Sequence, residues 1–312
     1  MARPESESNV SGTENTELEA GRLAVAMAED GPDEAVEKTL GFGFWLCITW
    51  LSAIVLVAIL APVLPIADPT DINNGPLKEG PSWSHFFGTD NAGRDVFARA
   101  VWGARVSLVV GAFAITFGLV VGGTLGMIAG YMKGVIDQAV SFFFFALLSF
   151  PALILAILIV TTFSRTLQVV SLTLGILSVA PVGRLARAQT LVFAEREFVD
   201  AARVIGAKNG RIIIRELLPN VLIPMGGLGL LGIGVAMVAE GGLAFLGLSV
   251  EGESAGQLSW GKIINESSKG RALSDYPHVA LLVIAVMFAT ILALNFAGDR
   301  IRQYTDVRET AF

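Results

Sequence analysis

The chain has 312 residues, of which 53% are hydrophobic and 16% are charged, whereas a soluble domain carries about 25% charged residues. One cysteine and two histidines exclude a disulfide framework and argue against a soluble metalloenzyme. The formal net charge of −6 comes from residues 1–41, which carry −7, so the rest of the chain is close to neutral.

Residues 1–41 form an acidic N-terminal tail. The segment is rich in Glu, Ser and Ala and nearly free of aromatic residues, a composition typical of disorder or a loose helix. It has neither the basic start nor the small-residue cleavage site of a signal peptide. We expect a solvated tail on the cytoplasmic side.

Six apolar runs follow the tail. A helix needs about 20 apolar residues to cross the hydrocarbon core of a bilayer. Every backbone polar group in lipid needs an internal partner, and no barrel-like alternation is visible, so the runs are expected to be helices. The sequence predicts an all-α integral membrane protein with spans at 44–64, 107–128, 142–163, 166–183, 221–248 and 278–296.

The distribution of Lys and Arg predicts the orientation, since these residues are more frequent in cytoplasmic loops. With the N-terminus in the cytoplasm, the inner segments hold 14 of them and the outer segments hold 8. Both termini are therefore expected inside. The expected divisions are the tail 1–41, a first helix 42–66, an extracytoplasmic segment 67–105, a five-helix core 106–300 with a cytoplasmic loop 184–220, and a cytoplasmic tail 301–312.

A stripe of glycines runs along the second span. Small residues let transmembrane helices approach one another closely. Two interpretations are open, namely packing within this chain and contact with a partner protein. The glycines recur every four residues, at Gly118, Gly122, Gly126 and Gly130.

A helix–turn–helix is predicted between spans four and five. Phe198, Ala201, Ala202 and Ile205 have the spacing of one apolar stripe on a short helix. Gly206 is a suitable residue for the end of that helix, because glycine tolerates the left-handed conformation. Residues 208–210 are typical of a turn, and a second short helix over 211–218 is expected to stop before Pro219.

Glu240 is the one acidic residue within the apolar interior of a span. An ionisable group at membrane depth is costly, which makes it a candidate functional residue. A structural role, in which it reaches water or pairs with an arginine near the external end, is the other interpretation. Two glycine patterns, at 227–232 and 256–262, match nucleotide-binding motifs in letters only, because neither follows a strand.

Residues 197–220 resemble the loop shared by permease subunits of binding-protein-dependent ABC importers. The acidic-Ala-Ala triplet is Asp200-Ala201-Ala202, a glycine follows at Gly206, and the loop ends in Leu218-Pro219. Many members have histidine where this chain has Glu216. The resemblance implies a helix that docks in a cleft on the ATPase. The residues that it assigns to this coupling are Glu197, Asp200, Ala201, Ala202, Gly206 and Pro219.

Further segments resemble the C-type permease subunit of dipeptide, oligopeptide and nickel importers, over about residues 40–308. Residues 87–96 and 103–108 are similar to the signature before the second span of that subunit. Three other motifs resemble the end of span five, the segment after it and the end of the last span. They lie at residues 243–248, 259–261 and 295–299.

This resemblance implies a type I importer permease fold with six spans and a coupling helix. It also implies a second homologous permease, two ATPase subunits or domains, and an extracytoplasmic substrate-binding protein as partners. ATP and Mg would be bound by the ATPases, so no cofactor, metal or catalytic residue is expected in this chain, and no nucleic acid is expected as a partner. The implied cargo is a dipeptide or oligopeptide, with a glutathione-like compound, a nickel chelate or another small solute as alternatives.

Two other classes of function remain as alternatives. A membrane enzyme needs clustered acid, base or metal-binding groups at membrane depth, and the spans supply only Glu240 and isolated histidines. A channel or secondary transporter that acts alone favours several intramembrane charges or an inverted repeat. Neither feature is apparent in the sequence.

Overall fold

The structure is a computed structural model that describes residues 41–72, 75–252, 254–270 and 272–309, with side chains to residue 304. The acidic tail predicted over 1–41 lies outside the described residues except for Gly41. Within the described part the regular structure is helical, and the only β contact is an isolated bridge between Thr89 and Asp95. The all-α class predicted from the sequence is confirmed.

The described residues contain five helices long and apolar enough to cross a membrane, and one bent pair of helices that completes a possible sixth span. The spanning helices are α1 (Gly41–Leu60), α2 (Val96–Met132), the bent pair α3 (Gly134–Ser149) and α4 (Ala152–Thr162), α5 (Leu167–Phe193), α7 (Asn209–Phe245) and α10 (Pro277–Glu309). The short helices are α6 (Glu197–Val204), α8 (Trp260–Ser267) and α9 (Ala272–Asp275).

The third predicted span, 142–163, is not one continuous helix. Helices α3 and α4 meet at an angle of 82° around Phe150 and Pro151. Proline disfavours the helical conformation in the residue before it, and Phe150 accordingly has an extended ψ of 132°. Hydropathy alone cannot register this break, because both halves are apolar.

Helix α2 begins earlier than the predicted start of its span at residue 107. The Asp95 side chain accepts a hydrogen bond of 2.7 Å from the backbone N–H of Ala98, which caps the helix at its first turn. The first turns carry Arg99, which is buried and donates to Glu266 at 2.6 Å. The helix therefore extends beyond the apolar run that revealed it.

Two π turns interrupt the long helices. One covers Gly118–Gly122 in α2 and the other covers Ile212–Leu217 near the start of α7. In the second, the N–H of Leu218 donates to the carbonyl of Ile213, five residues back. This wider turn precedes Pro219, whose ring would clash with the carbonyl four residues back in a regular helix. The prediction that a helix stops before Pro219 is wrong, since α7 continues to Phe245.

Contacts between distant residues define the two ends of the bundle. At the hairpin end, Tyr131 of α2 lies beside Asn209 and Arg203. At the opposite end, called the loop end, Arg165 before α5 bonds to Glu251 after α7. The start of α1 lies towards the hairpin end, because Gly43 lies against Phe296 in the second half of α10.

Candidate functional site

The candidate site is the hairpin formed by residues 194–211, which includes α6 and the first residues of α7. Helix α6 ends in a Schellman motif. The N–H of Gly206 donates to the carbonyl of Arg203 at 2.9 Å, and the N–H of Ala207 donates to that of Ala202 at 3.0 Å. Gly206 has a φ of +84°, so the reversal of the chain depends on a residue without a Cβ.

One side of α6 is fixed to the bundle. Val199 is fully buried in a cluster that also contains Met127 and Phe193 from α2 and α5. Ala202 and Ala207, the two residues paired by the Schellman motif, pack against the same cluster. The hairpin is therefore a packed extension of the transmembrane helices, and a displacement of α6 must displace the helices beneath it.

Polar contacts also hold α6 in place. The guanidinium of Arg203 lies 5.4 Å from the centre of the Tyr131 ring and 2.9 Å from Asp200. The hydroxyl of Tyr131 donates to Asn209 at 3.4 Å. Because Asp200 is mostly exposed, its ion pair contributes about 1 kcal/mol at most, and these contacts set orientation more than stability.

The outer side of α6 is apolar and exposed. Val204 and Ile205 are 89% and 86% exposed, and Phe198 and Ala201 also face outwards. An exposed apolar patch of this kind is typical of a protein contact. The predicted stripe of four residues is thus divided, because Ala202 faces the bundle.

The remaining residues assigned to coupling lie around this patch. Glu197 is exposed in the first turn of α6, where a negative charge is favoured by the helix dipole. Asp200 is exposed one turn later, and Pro219 is exposed on α7. The structure therefore brings five of the six together on the hairpin, while Pro219 lies two turns further along α7.

The four glycines of α2 face α5. An added Cβ at Gly118 would overlap the Ser178 hydroxyl, and one at Gly122 would overlap the Val179 carbonyl. At Gly126 the overlap would be with the Gly183 carbonyl. In each case the neighbour belongs to this chain, so the stripe allows close helix packing within the subunit.

Gly130 completes the stripe. Its added Cβ would lie 2.9 Å from the carbonyl oxygen of Arg187 and from Thr190. The same arginine forms a two-point ion pair with Asp137 of α3, with 2.6 Å between Nη2 and Oδ2. Helix α5 is thereby held to α2 by close backbone approach and to α3 by charge.

Glu240 lies on α7 towards the loop end and is fully buried. It neither reaches water nor pairs with an arginine, as one interpretation of the sequence required. Instead its Oε1 accepts a hydrogen bond of 2.6 Å from the hydroxyl of Ser259, and its Oε2 is buried without a hydrogen-bond partner. The sequence pattern gave no signal for this contact, because the two residues belong to different helical elements.

A groove between α2, α5 and α7 was not predicted from the sequence. It encloses about 410 Å³ and extends along α7 from Met225 to Ala239, a rise of about 21 Å. Ile115 and Leu177 contribute to an apolar lining in which Ser178 supplies a hydroxyl. Its length is a large part of the hydrocarbon thickness of a bilayer.

The described residues contain no group of three or more His, Cys, Asp or Glu side chains arranged to hold a metal ion. The site combines an exposed apolar helix fixed to spanning helices with an apolar groove that runs along α7.

Comparisons with known proteins agree with this arrangement. Residues 122–309 match the family described as the binding-protein-dependent transport system inner membrane component. The dipeptide transport system permease protein DppC of Alkalihalophilus pseudofirmus is 39% identical over 256 residues, which cover 82% of this chain and 83% of that protein.

A second relative and a solved structure are also similar to this chain. The glutathione transport system permease protein GsiD of Pectobacterium atrosepticum is 34% identical over 230 residues, which cover 74% of this chain and 75% of that protein. The fold is similar to a chain in the inward-facing MetNI methionine ABC transporter. That match has a TM-score of 0.52 and 18% identity, and covers 67% of this chain and 96% of the other.

Proposed function

Since the chain belongs to the family of binding-protein-dependent transport system inner membrane components, we propose that it forms one half of a path for peptide uptake driven by ATP. The chain is a permease subunit of an ABC importer and a multi-pass protein of the inner membrane. It has the type I importer permease fold.

The hairpin is the proposed contact with the ATPase. The observation that carries this proposal is the exposure of Val204 and Ile205 on a helix whose opposite side, at Val199, is fully buried. Such a helix offers an apolar surface to a partner and passes the partner's motion to α2 and α5. Glu197 and Asp200 are exposed beside the patch, where their charges would fix the orientation of docking.

The hairpin end is proposed to face the cytoplasm, where ATP is available. The excess of Lys and Arg in the segments at that end supports this orientation. Both described termini then lie inside. The loop end, with the described residues of 61–95 and 246–276, then faces outwards and is the proposed docking surface for a substrate-binding protein.

The proposed complex contains a second permease, two ATPase subunits or domains, and a binding protein. The apolar groove of this chain faces a similar groove in the second permease, and the two enclose the path. ATP and Mg are bound and used by the ATPases, so this chain contributes no cofactor site. ATP binding would close the ATPases, move the hairpins and open the path to the binding protein.

Peptides are the proposed cargo because the two relatives are named for dipeptide and glutathione transport, and both compounds are peptides. Uptake of nickel or another small solute by the same route is the second candidate.

The test is uptake of a labelled dipeptide into liposomes that contain the complete complex. ATP is enclosed in the lumen, so that it reaches complexes whose hairpin faces the lumen. Gly206→Val is expected to assemble normally and abolish uptake, because valine is strained at a φ of +84°. Gly210→Val is the matched control, because Gly210 lies in the same hairpin, has space for a side chain and is helical. Uptake at the wild-type rate by Gly206→Val would contradict the coupling role.

Ala201→Glu tests the docking surface without changing the backbone. A charge in the centre of the exposed patch is expected to prevent ATPase binding while the chain remains in the membrane. Labelling of Val204→Cys, at an exposed position two residues from Ala202, by an impermeant reagent from outside intact cells would contradict the orientation. Uptake by the purified chain without any ATPase would instead indicate a transporter that acts alone.

A further inference from the structure

The end of α7 furthest from the hairpin is joined to α8 through Glu240. The Ser259 hydroxyl donates to Oε1 of this carboxyl group at 2.6 Å. The same hydroxyl accepts a hydrogen bond of 3.1 Å from the N–H of Lys262 and so caps the first turn of α8. The buried acid of one helix therefore binds the capping residue of another.

Helix α8 is held tightly by its surroundings at this end. Trp260 is fully buried, and its indole N–H donates to the carbonyl of Ala100 in α2 at 2.8 Å. Gly261 lies so close to α7 that an added Cβ would be 2.6 Å from the Cα of Gly241. Asn265 donates to the carbonyl of Ala244 at 2.6 Å.

The far end of α8 is joined to the first turns of α2 and to the segment before them. Glu266 accepts from Arg99 at 2.6 Å and lies 3.7 Å from Arg94. Arg94 in turn pairs with Asp90 at 2.7 Å. Helix α8 therefore connects α7 with the loop surface on which the binding protein is proposed to dock.

Helix α7 is continuous from the hairpin to this contact. It runs from Asn209 to Phe245, so Glu240 lies about 46 Å along the helix from its first residue. It runs as one span past the π turn at Ile212–Leu217 and past Pro224, so a movement of the hairpin has a continuous helical route to its far end. Which part of the protein moves with the far end of α7 depends on the contacts of that end.

The presence of an acid at position 240, where an apolar residue could stand, supports a specific bond between α7 and α8. A buried carboxyl group with one oxygen unpaired is costly, and an apolar side chain of similar size would pack at a lower cost. The directional bond to Ser259 is what an apolar residue could not supply. It fixes the N-terminus of α8 to one point on α7.

We propose that Glu240 is a positioning residue that makes α8 move together with α7, so that the loop surface and the hairpin are coupled in both directions. This inference rests on the proposed function of the hairpin. By reciprocity of binding, docking of the binding protein at the loop surface would then change how strongly the hairpin end favours the closed, ATP-bound ATPases, and the rate of ATP hydrolysis would report that change.

The experiment uses the complete complex in lipid nanodiscs with its binding protein and dialanine. It measures ATP hydrolysis with and without the loaded binding protein for Glu240→Gln, Glu240→Ala, Ser259→Ala and the double variant Glu240→Ala with Ser259→Ala. Basal hydrolysis is expected to stay at the wild-type level in all four. Glu240→Gln, which keeps an acceptor for Ser259, is expected to retain stimulation.

The two alanine variants are expected to lose stimulation by about fivefold or more, the lower range of typical coupling between sites. The double variant is expected to lose no more than either single variant, because both remove the same bond. Wild-type stimulation in Ser259→Ala, additive losses, or equal losses of basal and stimulated hydrolysis would overturn the proposal. If Glu240→Ala does not assemble, Ser259→Ala and Glu240→Gln still decide the matter.

The variants distinguish an error about the link through Glu240 from an error about the coupling role of the hairpin. If only the link through Glu240 is wrong, Gly206→Val abolishes stimulation and Ser259→Ala does not. If the hairpin does not couple to the ATPase, Gly206→Val retains stimulation as well.

Discussion

Close packing between α2 and α5 leads to a prediction about two neighbouring glycines. An added Cβ at Gly126 would overlap the carbonyl oxygen of Gly183 and lie 2.9 Å from the backbone N of Arg187. Ordinary contact begins near 3.4 Å, so Gly126→Ala must open the interface by about 1 Å. Overpacking of this kind costs about 1–3 kcal/mol. Gly123 on the same helix has no atom within 4 Å of the added Cβ.

The two alanine variants are therefore expected to differ in sign. Gly123→Ala is expected to stabilise the complex by about 0.5–1 kcal/mol, because alanine favours the helix. Gly126→Ala gains the same amount and loses more, which leaves a difference of about 2 kcal/mol between the variants.

The assay is the apparent melting temperature of the assembled complex, followed by gel filtration after heating. Unfolding of such complexes is irreversible, so the comparison requires one heating rate for all samples. A difference of about 2 kcal/mol corresponds to about 3 °C for a chain of 312 residues, since the entropy of unfolding is about 2.1 cal/mol/K per residue. Equal melting temperatures for Gly123→Ala and Gly126→Ala would refute the assignment of this face to helix packing.

Two further predictions use the same heating assay. Trp260→Ala is expected to destabilise the complex by about 3–5 kcal/mol, because removal of the fully buried ring leaves a cavity. Trp83→Ala is the control, at a residue 92% exposed, and is expected to leave the melting temperature unchanged. A large effect at Trp83 would contradict this reasoning. Arg187→Ala is expected to cost about 1–3 kcal/mol through the loss of its bonds to Asp137, and the double variant with Asp137→Ala is expected to cost less than the sum of the single variants; strict additivity would argue against a direct pair.

The spans were predictable because apolar runs of sufficient length have few alternatives in lipid. The break between α3 and α4 was not, although Pro151 was visible, since a proline within a span is often accommodated by a kink. The start of α2 was also missed. Its first turns contain Arg99, and an arginine is expected in a loop unless its distant partner, here Glu266, is known.

The hairpin shows where local patterns stop being informative. The end of α6 at Gly206 was predictable because glycine has a local reason to be there, namely a positive φ. The buried side of α6 was not, since Val199 and Phe198 are both apolar and an eight-residue helix gives too few turns to choose between them. The partner of Glu240 was likewise invisible, because a hydrogen bond to Ser259 across 19 residues leaves no periodic trace.

The π turn at Gly118–Gly122 has a consequence for chain length. A regular α-helix rotates about 100° per residue, whereas a π turn holds one residue more for nearly the same rotation. Deleting one residue there would restore an unbroken α-helix. The side chains between Gly123 and the hairpin would keep their present directions around the helix axis. Deleting one residue beyond Gly123 would instead swing Tyr131 by about 100°, away from Arg203. The position of a one-residue deletion, more than its size, therefore decides whether α2 still supports the hairpin.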